Sequence, residues 1–158
     1  MSKILVEIKW AIIFAVASLF WMAFEKSMGW HDVLIEKHAI YTNFFAIIAI
    51  AVYVLALLDK RKVDYYGKMN WKQGFVSGVI LSVIIAVISP LIQYIVSTEI
   101  TPEYFENIIE FVVDSGKMGQ EAAESYFNLK SYMVQSLFGA LTMGIVTSAI
   151  VAFFVKKQ

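Results

Sequence analysis

The sequence predicts an all-α integral membrane protein, a four-helix bundle with short amphipathic outer helices between its third and fourth spans. Three observations carry this reading. First, the chain of 158 residues is 59% hydrophobic and 16% charged, with a mean hydropathy of +0.69; a soluble domain is nearer half apolar and a quarter charged. Second, four apolar runs (8–24, 39–58, 73–97 and 132–155) are long enough to cross a hydrocarbon core of roughly 30 Å at about 1.5 Å per residue. Third, two of those runs carry small residues at every fourth position. The length suits one membrane domain, 1–158. Zero net charge argues against nucleic acid as a partner. The absence of cysteine removes disulfides, thiol nucleophiles and cysteine metal sites.

The first run, 8–24, follows Lys3 and Lys9, as a secretory signal would. What comes after it, WMAFEKSMGW, is bulky where a cleavage site needs small residues, so the run reads as a retained anchor. Trp10, Trp21 and Trp30 fall near the expected interfaces, as an aromatic belt should. Residues 25–38 form a short polar connection to the second run, whose first turns carry Tyr41, Thr42 and Asn43. Residues 59–72 are a basic loop in which Tyr65, Tyr66 and Trp71 stand among lysines and an arginine.

The third run, 73–97, contains no charge and places Gly74, Gly78, Ser82, Ala86 and Pro90 on one helical stripe. In lipid, where apolar side chains gain little by leaving the solvent, such a stripe lets a second helix approach closely. The matching stripe is Ser136, Ala140, Gly144, Ser148 and Ala152 in the fourth run, and the two are expected to pack on each other. Ser89, Pro90 and Gln93 mark a kink with polar groups beside it. Between these runs, Thr101-Pro102-Glu103 reads as a helix start and Ser115-Gly116 as its end. Glu99, Glu103, Glu106, Glu110 and Asp114 share one face, opposite Tyr104, Ile108 and Val112. A second short helix covers about 120–130. The pair could lie along the membrane or cap the bundle.

Basic residues decide the orientation. Lys3, Lys9, Lys60, Arg61, Lys62, Lys68, Lys72, Lys156 and Lys157 all fall on one side of a four-span model, which puts both termini in the cytoplasm and residues 101–130 outside.

Candidate chemistry is sparse. His31, Asp32, Glu36 and His38 have metal-capable side chains near one another, but their spacing matches no zinc signature; they read as interfacial polar residues, and no metal or cofactor is expected. Asn43, Ser89, Pro90, Gln93 and Gln135 all fall in the outer half of the bundle. They either bond one another across helices or form a polar notch for a lipid head group. No ionisable residue lies near a span centre, so the usual mark of a proton-coupled transporter is missing.

Four spans, Tyr66-Gly67 in the basic loop, Trp71, Gly74 and Gly78 opening the third span, the turn Ile100, Pro102 and Tyr104, and an acidic outer segment together resemble an uncharacterised family of bacterial inner-membrane proteins, known as a domain of unknown function. The resemblance covers nearly the whole chain and supplies no catalytic residues. It implies a genomic setting beside a polyprenyl-phosphate glycosyltransferase, hence envelope glycan or lipid assembly. The expected function is a non-enzymatic scaffold or accessory subunit that meets membrane lipids and a second membrane protein or another copy of itself. The alternative is a lipid or small-molecule carrier using the outer notch.

Overall fold

Residues 4–157 are described in the computed structural model; Lys3 of the charge argument lies outside them. Helix α1 (Leu5–Ser27) leads through a turn to α2 (Ile35–Tyr41). One 3-10 turn (Thr42–Phe44) joins α2 to α3 (Phe45–Val63). Helix α4 (Trp71–Ile95) runs on as a π-turn (Val96–Ile100). Then come α5 (Tyr104–Asp114), α6 (Gln120–Tyr126) and α7 (Leu129–Val155). Four helical stretches are long and apolar enough to cross a membrane: Leu5–Ser27, Ile35–Val63, Trp71–Ile100 and Leu129–Val155. Each contains one predicted run. Large apolar side chains such as Phe20, Val87, Phe138 and Phe154 face outward, as lipid-facing residues should.

The helix ends follow local chemistry. Asn70 and Gln73 bond reciprocally as a capping box at the start of α4, and Asn128 accepts from the Ser131 amide to cap α7. The expected Thr101 cap is corrected: Glu103 occupies the cap position of α5 without a side-chain bond, and Thr101 is buried under the preceding π-turn. Helix α4 continues through Pro90, where the neighbouring Ser89 hydroxyl donates to the Ile85 carbonyl at 2.8 Å.

The two small-residue stripes meet. Helices α4 and α7 lie antiparallel with Gly74 against Ala152, Gly78 against Ser148, and Gly144 against Ser82 and Tyr53. A Cβ added to Gly78 would fall 2.5 Å from Ser148 Oγ, and one added to Gly144 would fall 2.5 Å from Ser82 Oγ. Only hydrogen fits there. The seam hydroxyls return to their own helices, Ser82 to Gly78 O at 2.7 Å and Ser148 to Gly144 O at 2.6 Å. Tyr53 of α3 joins them, its hydroxyl 2.9 Å from Ser82 Oγ. Ala86 is buried and Ala140 packs against the core formed by Leu57, Leu81, Ile85 and Val151. Ser136, the outermost member, turns its face to a cavity instead.

At the basic end, the charges behind the orientation argument also close the bundle. Glu7 of α1 is buried and takes Lys60 Nζ at 2.9 Å and Ser77 Oγ at 2.7 Å. Lys9 pairs with Asp59, which also accepts from Trp10 Nε1 at 2.9 Å. Arg61 donates to the Val155 carbonyl at 2.7 Å, satisfying an end of α7 that has no intrahelical partner. Met69 and Lys157 exchange backbone hydrogen bonds of 2.8 Å, tying the inner loop to the end of α7.

The outer helices cap the bundle. Tyr104, Ile108 and Val112 of α5 pack on Ala123 of α6, on Ile35 of α2 and on Tyr132 at the start of α7. Glu99, Glu103, Glu106, Glu110 and Asp114 stay exposed on the far face.

Candidate functional site

Under that cap three ionisable side chains converge. The last turn of α1 aims Glu25 inward, and the chain then reverses through Gly29, whose φ of +74° is the left-handed geometry that glycine adopts without strain. Backbone bonds from Trp30 N to Glu25 O and from Leu34 N to Gly29 O close the turn. The reversal carries His31 and His38 back over Glu25. His31 Nε2 stands 2.9 Å and His38 Nε2 3.3 Å from Glu25 Oε2. The other carboxylate oxygen accepts from Trp21 Nε1, one helical turn earlier. Glu25 is fully buried, His31 is 2% exposed, and His38 sits at the rim.

Tyr104 closes the group from above. Its ring meets both imidazoles edge-on, and its hydroxyl lies 3.3 Å from His38 Nδ1 and 3.4 Å from the Tyr132 hydroxyl. Burial, reinforced by Tyr132, pushes the Tyr104 phenol above its ordinary range, so it remains a neutral hydroxyl. Asn107, one turn on, donates to the His31 carbonyl at 3.0 Å and fixes α5 on the loop. His31 Nδ1 and His38 Nε2 have no hydrogen-bond partner of good geometry among the described residues. One ligand atom from each of Glu25, His31 and His38 lies within 4.8 Å of the others, a spacing that a single cation can bridge.

This group is not the run His31, Asp32, Glu36 and His38 that the sequence places close together. Both histidines belong to it, whereas Asp32 and Glu36 are exposed and stand apart. Glu25 was read as the start of a polar connection and is instead the centre. The available signal was a carboxylate four residues after Trp21 at the end of an apolar helix, where a charge must be buried with partners or reach the interface.

The polar notch is also reassigned in part. A cavity of about 180 Å³ in the outer half is lined by Ser18, Thr42, Ser89, Gln93 and Ser136, with Phe14, Trp21 and Phe45 as its aromatic wall. Ser89 and Gln93 are therefore brought together. Asn43 is exposed and bonds the Ala39 carbonyl at 2.8 Å. Gln135 is exposed too, donating to Ser131 Oγ and accepting from the Tyr126 hydroxyl. Pro90 faces α7 at Met133 and Leu137, outside the cavity. Trp21 links the two features, lining the notch with its ring and bonding Glu25 with its N–H.

A family model for a protein of unknown function, DUF4199, matches residues 9–157. The chain belongs to that family. The match spans all four membrane helices and the outer cap, so bundle, notch and Glu–His–His group are parts of one family domain. Neither curated proteins nor solved structures give a match.

Proposed function

We propose that this chain is a small non-enzymatic protein of a bacterial inner membrane, a scaffold or accessory subunit in envelope glycan or lipid assembly that holds a lipid head group in its outer notch. The observation that carries the reading is the chemistry of the notch wall. The Ser18, Ser89 and Ser136 hydroxyls donate to carbonyls of their own helices, which leaves their oxygens as acceptors. Gln93 spends one N–H on Ser97 at 2.9 Å. Such a wall suits a ligand that donates, a sugar hydroxyl or an amine of a head group, while Phe14 and Phe45 suit its apolar part. Membrane lipids are then the first partners. A polyprenyl-phosphate glycosyltransferase, or another copy of the chain, is the protein partner this role calls for.

The test is purification from native membranes with mass spectrometry of retained lipids and proteins. A glycosylated or amine-bearing lipid at a constant ratio is expected, and Gln93→Leu with Ser136→Ala should deplete it while the folded yield stays unchanged. Equal retention by the double variant would remove the notch from the reading. A carrier role is favoured by the π-turn that follows Pro90 beside the notch, a local irregularity of the kind found at functional sites; transfer of the retained lipid between vesicles separates it from static binding. The basic end of the bundle is assigned to the cytoplasm. An impermeant thiol reagent should label a cysteine at Ser115 in intact cells and not one at Tyr66; the reverse pattern inverts the assignment.

A further inference from the structure

We propose that Glu25, His31 and His38 form a divalent-cation site of the zinc class, set beneath the outer cap and sharing Trp21 with the lipid notch. Two imidazoles and one carboxylate are the donor set of three-ligand zinc sites that keep a fourth position open. All three ligand atoms lie within 4.8 Å of one another, and two of their three separations already match a tetrahedral edge. Bonds of about 2.0–2.1 Å to a tetrahedral ion set ligand atoms about 3.3 Å apart. Here His31 Nε2 and His38 Nε2 stand 2.9 and 3.3 Å from Glu25 Oε2.

The surroundings are those of a ligand set held by outer partners. In the tautomer whose Nδ1–H donates to the Tyr104 hydroxyl, 3.3 Å away, the His38 Nε2 lone pair is free to bind an ion beside Glu25. Trp21 Nε1 holds the second carboxylate oxygen and fixes the rotation of the group. His38 Nε2 is buried and lacks a hydrogen-bond partner of good geometry, although 3.3 Å from a carboxylate. An ion between the three groups would give it one. The convergence also uses both histidines in the chain, which are seven positions apart and on different local elements. Zinc, or copper above it in the usual affinity order, is the metal such nitrogen-rich sites take.

The site accounts for the placement of α5. Tyr104 and Asn107 are its two polar contacts with the group, so a bound ion would rigidify the cap as well as the loop.

The experiment uses the full chain without a histidine tag, in detergent, stripped with a chelator and titrated with zinc chloride. One equivalent per chain is expected by calorimetry, with a rise in melting temperature; cobalt should give the visible absorption of a tetrahedral site. His38→Ala, at the rim, should reduce zinc affinity by at least about 100-fold, and Tyr104→Phe by roughly tenfold, as loss of an outer partner does. Asp32→Asn and Glu36→Gln should bind as the native chain does. Absence of stoichiometric binding to the native chain overturns the proposal without recourse to any variant. So does binding that survives His38→Ala, or that Asp32→Asn removes.

Discussion

The α4–α7 seam and the Glu25 group are both buried contacts that hold the bundle together, yet they are built on opposite principles. The seam is a matter of volume. Its residues repeat every fourth position, its hydroxyls are satisfied by their own helices, and a single added carbon at Gly78 would sit 2.5 Å from its neighbour. The Glu25 group is a matter of partners. Its residues follow no period, and beyond Trp21 on its own helix the carboxylate depends on His31, His38 and Thr42, which the fold brings to it. One region should tolerate lost polar groups and resist added bulk. The other should do the reverse.

The largest expected effect is therefore bulk in the seam. Gly144→Leu should abolish folded protein in detergent, and Gly78→Ala should cost about 1–3 kcal/mol, the range for overpacking a tight contact. Gly139 is the control on the same helix, because a Cβ there meets nothing within 4 Å. Size-exclusion profiles and melting curves of Gly139→Leu should match those of the native chain. If all three glycines behave alike, close approach of the helices is not what the seam supplies.

Next is loss of a partner in the outer group. Glu25→Ala strands the Trp21 N–H and the His31 N–H, at about 1–3 kcal/mol for each buried donor. Thermal unfolding followed by tryptophan fluorescence should show it, with Trp21 reporting directly. The matched change in the seam, Ser82→Ala, strands one buried group, the Tyr53 hydroxyl, against two in Glu25→Ala, and should cost about half as much. A Ser82→Ala loss as large as that of Glu25→Ala would erase the distinction.

The smallest effect is a dependence on pH that one residue of the cap contributes. Burial raises the Tyr104 phenol above its ordinary value of 10.0. The folded state thus favours the protonated form; its contribution is whole below about pH 10 and falls as pH rises beyond that. Native protein should lose stability relative to Tyr104→Phe between about pH 10 and pH 11.

How much of this was legible beforehand follows the same division. Helix periodicity is local, so residues four apart share a face whatever the rest of the chain does. That is why 73–97 and 132–155 disclosed their spans and their mutual contact, with Gly78 and Gly144 as the tight points. The acidic and apolar faces of α5 were equally readable, and its docking was not, because an apolar face fits a membrane surface as well as a bundle. The notch was half legible. Polarity marked Asn43 and Gln135 together with Ser89 and Gln93, yet the first two turn outward and bond their own segments.

The sequence by itself determined four membrane helices, the common end shared by the basic residues, and the seam between α4 and α7, because each is written in short-range period or composition. Only the tertiary structure decided that Glu25, and not Asp32 or Glu36, stands between His31 and His38. That choice depends on the left-handed turn at Gly29 and on α5 descending to place Tyr104 over the imidazoles. Side chains on a reversing loop have no fixed direction until the elements on either side are packed, and here the packing set it.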